Sequence, residues 1–249
     1  MIKPYYGPVD GITIYHGDCR DILPTFPDKS FDLVLTDPPY GVKRDKGFEG
    51  FEGFEGFGTP IARKRYEDDD WDSERPDAVV FQTILRVSET ALIFGGNYFA
   101  DLLPQGKHWL VWDKLNTMPT FGDCELVWTN VSRNSVKKVT REYNGLIGKE
   151  ETRQHPTQKP VNLLGKLIED YSEPSFSILD PFGGSGTTAV AAKQLGRKCT
   201  LIEIEEKYCE IAISRLQQIE LFNQCDQDTE QKNNRLPHGS DIASGLFPM

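Results

Sequence analysis

Residues 175–196 read SFSILDPFGGSGTTAVAAKQLG. A short apolar run closes on Asp180, a proline and three glycines follow, and a run of small, helix-compatible residues begins at Thr187. The apolar run is too short for a helix and ends at strong turn residues, so it reads as a strand. Glycines 183, 184 and 186 let the backbone turn sharply and approach a bound group. The helix that opens there offers unpaired N–H groups at its start. The next apolar run, CTLIE, ends at Glu203. That is roughly the 20-residue separation at which strand–turn–helix–strand units set a carboxylate for a ribose.

Outward from this unit, strands and helices continue to alternate. ITIYHGD (12–18), FDLVLTD (31–37), TALIFGG (90–96), HWLVWDK (108–114) and CELVWTN (124–130) read as strands. PDAVVFQTILRVS (76–88) and PVNLLGKLIEDYS (160–172) have helical spacing, the second opening on proline. Residues 199–222 read as strand then helix. The fold class is therefore α/β, a Rossmann-like, mostly parallel sheet with helices on both faces.

Two segments break the alternation. GFEGFEGFEGFG (47–58) is a three-residue repeat whose glycines oppose helix and strand, and it is expected to be a flexible loop. A touch on the substrate is its functional alternative, because it begins soon after Tyr40. The tail 223–249 is polar and aperiodic and is expected to be disordered. The remainder, 1–222, reads as one domain.

The bulk numbers exclude several classes. The 249 residues carry a net charge of −10, which argues against a protein coated in nucleic acid but not against local contact. Basic runs at 43–46, 63–65 and 131–141 (Arg133, Lys137, Lys138, Arg141) are set against that acidic background and point to a basic cleft. The longest apolar runs cannot cross a bilayer and no hydrophobic signal region is seen, so a soluble, cytoplasmic protein without membrane contact is expected. Five scattered cysteines form no CxxC pair and four histidines share no ligand spacing, so no metal is expected.

The glycine-rich turn is neither GxGxxG nor a GK[ST] phosphate loop. The acid before it suits a cationic ligand better than a pyrophosphate. S-adenosylmethionine fits, with an ammonium and a sulfonium near Asp180 and a ribose diol for Glu203. A second motif, LTDPPYGV (35–42), ends a buried strand in a rigid kink that carries a carboxylate and an exposed ring.

DPPY, HPTQKP (155–160) and DPFGGSGTT, in that order, resemble the β arrangement of the DNA amino-methyltransferases, which act on adenine N6 or cytosine N4. The resemblance runs from about Ile12 to about Leu216. It implies the class I methyltransferase fold with permuted motif order and S-adenosylmethionine as cofactor. Asp180, Phe182, Gly184, Gly186 and Thr187 would line the methionine end, and Glu203 would hold the ribose. Asp18 would lie near the adenine of the cofactor, and Thr157 and Lys159 near its carboxylate. Asp37, Pro38, Pro39 and Tyr40 would form the catalytic loop.

A conjugated exocyclic amine is a poor nucleophile. Asp37 and the Pro38 carbonyl can each accept one of its hydrogens and free the lone pair. The stiff prolines limit reorganisation, and Tyr40 can stack on a base rotated out of the duplex. A cytosine-C5 enzyme would need a Pro-Cys nucleophile, which the chain lacks.

In the resembling family, aspartate at position 37 favours adenine, and serine there is the more usual mark of cytosine-N4 enzymes. Residues 116–154, with the 131–141 basic run, Trp128 and Tyr143, form the candidate recognition segment for double-stranded DNA. A separate restriction endonuclease is a possible partner. Three alternatives stay open beside adenine-N6 transfer: a cytosine-N4 enzyme, an RNA adenine-N6 enzyme, and a silent binder of cofactor or nucleic acid. RNA enzymes with this loop usually carry the cofactor motif first, and a dehydrogenase would need an N-terminal GxGxxG; the chain has neither.

Overall fold

The computed structural model describes residues 2–41, 74–115, 122–141 and 158–219. The GFE repeat, the basic runs at 43–46 and 63–65, Tyr143, Thr157 and the tail from 223 lie outside the described residues.

Nine strands form one sheet among those residues: β1 (Tyr6–Val9), β2 (Ile12–His16), β3 (Phe31–Thr36), β4 (Ser88–Phe94), β5 (Trp109–Asp113), β6 (Cys124–Thr129), β7 (Val136–Thr140), β8 (Ser177–Asp180) and β9 (Lys198–Glu203). Their spatial order is β1-β2-β9-β8-β3-β4-β6-β5-β7. The run β2-β9-β8-β3-β4 is parallel throughout. β1 pairs antiparallel with β2, β6 pairs antiparallel with β4 and β5, and β7 lies parallel to β5 at the far edge.

Side-chain alternation along the central strands builds two cores, one on each face. Leu33, Leu35, Leu92, Ile178 and Leu201 face one side. There they meet α3 (Val161–Tyr171), α4 (Thr187–Gln194) and α5, the helix through residues 206–219. Val34, Ala91, Ile93, Leu179 and Ile202 face the other, against α1 (Cys19–Ile22) and α2 (Ala78–Val87). α2 starts where Asp77 accepts the N–H groups of Val79 and Val80, an N-cap that satisfies two otherwise unpaired donors.

The chain runs from β3 outward to β4 in one direction and from β8 outward to β9 in the other. The order thus reverses between β8 and β3, where open α/β sheets form a crevice at the carboxyl ends of their strands.

Among the described strands and α-helices, three were not expected from the sequence: β1, α1 and β7. β1 contains Gly7-Pro8 and lies at a sheet edge, where a missing N–H is tolerated. β7 reads as a basic run because Lys137 and Lys138 mask its valines; charge of this kind also protects an edge strand from further pairing.

The expected recognition segment 116–154 is described only at 122–141. Its described portion includes β6 and β7, which are integral to the sheet. Trp128 is core rather than a DNA contact: it is 2% exposed, and its Nε1 donates to the Pro104 carbonyl at 3.0 Å. Within the basic run, Lys138 pairs with Asp113 at 3.1 Å. No helix among the described residues is long and apolar enough to cross a membrane.

Candidate active site

A cleft of about 880 Å³ opens at the β8/β3 reversal. The ends of β2, β3, β4, β8 and β9 contribute Asp18, Asp37, Phe94, Asp180 and Glu203 to its wall. Of the other expected residues, Pro39, Lys159, Phe182, Gly184 and Thr187 also line it. Pro38, Tyr40 and Gly186 are not part of the lining.

The glycine-rich turn is held from three sides. The Asp180 carboxylate is buried and accepts from Thr36 Oγ1 at 2.7 Å, Thr188 Oγ1 at 2.6 Å and the Phe182 N–H at 3.1 Å. It therefore ties the end of β3 to the start of α4. Burial pushes its pKa up to about 6, although these hydrogen bonds act in the opposite direction. Glu203 accepts from the Gly184 N–H at 2.6 Å and from the Glu205 N–H at 2.9 Å, and burial raises its carboxyl too. Arg215 of α5 donates to the Ser185 carbonyl at 2.7 Å and to Thr187 Oγ1 at 3.0 Å.

Arg215 was missed in the sequence. Tyr208, Cys209, Ala212 and Leu216 form the buried stripe of α5, and Arg215 falls within that stripe. A charged residue on an apolar helical face was the available signal. Gln158, which accepts from Ser185 Oγ at 3.2 Å, was also missed.

Gly186 has a different setting from the one its motif implies. A Cβ there would stand 2.5 Å from Ala212 Cβ, so the missing side chain makes room for α5 rather than for a ligand. At Gly184 a Cβ would meet nothing within 4 Å, and this residue does line the cleft.

Asp18 caps α1 by accepting the Arg20 N–H at 2.8 Å. The Arg20 guanidinium also binds its carboxylate, at 2.5 Å for the shortest contact, and this hydrogen bonding holds the Asp18 carboxyl below its usual range. Asp18 thus faces the cleft already engaged.

The DPPY loop is the other wall. Asp37 Oδ1 accepts from the Tyr40 hydroxyl at 2.6 Å, and Oδ2 is 2.5 Å from Lys159 Nζ. The Tyr40 ring is not the exposed surface expected from the sequence. It stacks on Tyr98 with centroids 4.6 Å apart and planes at 15°, and it meets Phe99 edge-on. Burying an aromatic ring in this way also keeps its hydroxyl on Asp37. Tyr98, 41% exposed, is the outer ring of the pair.

Lys159 lines the cleft and is held by two carboxylates. Its ammonium is buried between Asp37 and Glu125, 3.3 Å from Glu125 Oε2, and lies 5.1 Å from the centre of the Phe94 ring. Glu125 in turn pairs with Lys114 at 2.7 Å. The result is a row of alternating charges, Asp37, Lys159, Glu125 and Lys114, reaching from the DPPY loop to β5 and β6. Burial pushes the Asp37 carboxyl up, and Lys159 and Tyr40 counter it only in part. Burial would depress the Lys159 ammonium, but the two carboxylates outweigh that and keep it charged.

The architecture is that of the class I methyltransferases. Among solved structures, the complex of M1.HpyAVI with S-adenosylmethionine aligns with a TM-score of 0.53 at 24% identity, over 82% of this chain and 98% of that one. The cytosine-N4-specific PvuII DNA methyltransferase aligns with a TM-score of 0.59 at 18% identity, over 86% and 88%.

The sequence profile of the DNA methylase family, the N6/N4 amino-methyltransferases, matches residues 66–214, and the chain belongs to that family. Type II methyltransferase M.HinfI of Haemophilus influenzae is 29% identical over 259 residues, covering 83% of this chain and 68% of the relative. Type II methyltransferase M2.MboI of Moraxella bovis is 28% identical over 262 residues, covering 88% and 92%.

Proposed function

We propose that the chain is a site-specific DNA methyltransferase that transfers a methyl group from S-adenosylmethionine to the N6 amine of adenine in duplex DNA. The observation that carries this reading is the shared cleft, with Asp37 of the DPPY loop on one wall and Asp180, Gly184 and Glu203 on the other. Family membership supports DNA as the substrate. The aspartate at position 37 supports adenine over cytosine.

The cofactor fits the residues present. The cleft volume lies in the range of sites that enclose small molecules. Open space at Gly184 lets a ligand approach the backbone, and Glu203 stands where a ribose diol can be accepted. Asp180 carries the negative charge that a cationic methionine end requires. When bound, S-adenosylmethionine supplies an electrophilic methyl group.

The chain's own residues then act on the amine. Asp37 accepts an amine hydrogen, which moves the nitrogen toward tetrahedral geometry. The Tyr40 hydroxyl holds the Asp37 carboxylate in a fixed orientation, so little reorganisation is needed. As the nitrogen gains the methyl group it becomes cationic and sheds its proton toward Asp37.

The test is a methylation assay on unmodified duplex DNA followed by nucleoside mass spectrometry. N6-methyladenine is expected, and Asp37→Ala should lower turnover by about 10²-fold or more while cofactor binding survives. N4-methylcytosine would overturn the adenine assignment and keep the mechanism. Wild-type turnover in Asp37→Ala would overturn the role of the loop. The type II relatives support a separate restriction endonuclease as the biological partner.

A further inference from the structure

We propose that Glu125 is a positioning residue that receives the Lys159 ammonium when the target amine arrives, and so releases Asp37 to accept the amine hydrogen. The role rests on Asp37 being the amine acceptor of a methyltransferase.

In the described structure Lys159 Nζ is closer to Asp37, at 2.5 Å, than to Glu125, at 3.3 Å. A carboxylate neutralised by an ammonium at that distance is a weak acceptor toward a neutral amine. Moving Lys159 away restores its charge, but a buried ammonium cannot be left alone. Glu125 is built to take it. Its Oε2 is buried and makes no hydrogen bond among the described residues, although it faces Lys159 at ion-pair distance. Its other oxygen is anchored by Lys114 at 2.7 Å, which fixes the carboxylate on β6.

A swing of the ammonium away from Asp37 and onto Glu125 Oε2 therefore exchanges one ion pair for the other within the same row of charges. The Tyr40 hydroxyl stays on Asp37 Oδ1 throughout, so the carboxylate keeps its orientation while Oδ2 is freed. Phe94, whose ring centre is 5.1 Å from the ammonium, offers a π surface along the path.

The test compares wild type with Glu125→Gln and Glu125→Asp. Glutamine retains the shape but cannot compensate an ammonium. Turnover should fall by roughly 10- to 100-fold with KM for DNA and cofactor affinity unchanged, the signature of an interaction made during reaction. The negative charge of Glu125 also raises the Asp37 carboxyl. The acid limb of the turnover-versus-pH profile should therefore move to lower pH in Glu125→Gln.

Glu125→Asp keeps the charge but retracts it by one methylene, and should give intermediate turnover with the acid limb where the wild type has it. It stands as the test alone if the glutamine variant does not fold. Wild-type turnover in either folded variant, or an unmoved acid limb in Glu125→Gln, overturns the proposal. Asp37→Asn is assayed in parallel. If it too is fully active, the reading of Asp37 has failed; if it is inactive while Glu125→Gln is unaffected, only the role of Glu125 has failed.

Discussion

The glycine-rich turn contains two left-handed glycines that should fail in opposite ways when changed to alanine. Gly186 has φ +80°, and its absent Cβ would lie 2.5 Å from Ala212 Cβ and 3.0 Å from Ala212 Cα. The conformation costs an alanine about 1 kcal/mol. Forcing a methyl into a closed helix–helix contact adds about 2 kcal/mol. Gly186→Ala should therefore lose about 3 kcal/mol, or roughly 6–12 °C in melting temperature for a chain of this size. Gly184 has φ +49° with nothing within 4 Å of a Cβ. Gly184→Ala should bear only the conformational cost, about 1 kcal/mol. Its methyl occupies space at the cleft, so S-adenosylmethionine affinity should drop at least tenfold. Urea denaturation and calorimetric titration of each variant separate the two effects. A Gly186→Ala protein of wild-type stability that has lost cofactor binding would refute the assignment of that glycine to helix packing.

Two more perturbations address the buried charges. Asp180 has a folded pKa of about 6, above its unfolded value. A raised acid favours folding below its unfolded pKa, near 4, and loses that contribution as the pH rises through about 6, a change of about 3 kcal/mol. Urea unfolding from pH 4 to 7 should show this loss in wild type and a flatter curve in Asp180→Asn; parallel curves would contradict the burial argument. Lys159→Met leaves Asp37 and Glu125 without their shared cation. It should lower stability by about 3–5 kcal/mol by urea denaturation, and a variant as stable as wild type would show that the pair is dispensable.

The central strands were legible because each is bounded by turn residues and buried on both faces, which leaves an apolar run that periodicity alone detects. The DPPY and DPFGGSGTT turns were legible because glycine and proline restrict backbone geometry locally, and a carboxylate at a strand end declares itself without reference to distant chain. β7 was not, since a short edge strand carrying two lysines has the composition of a solvated loop. Trp128 was misread for a related reason: an aromatic residue near basic residues looks like a nucleic-acid contact until the sheet buries it.

Sequence by itself determined that the chain is an α/β protein with a mostly parallel sheet, that DPPY and DPFGGSGTT end two strands, and which carboxylates stand at those ends. Only the tertiary structure decided what each one touches. β8 and β3 are neighbours although Asp180 and Asp37 are far apart in the chain, and that adjacency makes one cleft of two motifs. Folding also brought Glu125 and Lys114 to Lys159, covered Tyr40 with Tyr98, and gave Gly186 to Ala212. Hydrogen bonds, ion pairs and packing contacts act over a few ångströms of space, whereas local sequence restricts only the few residues on either side.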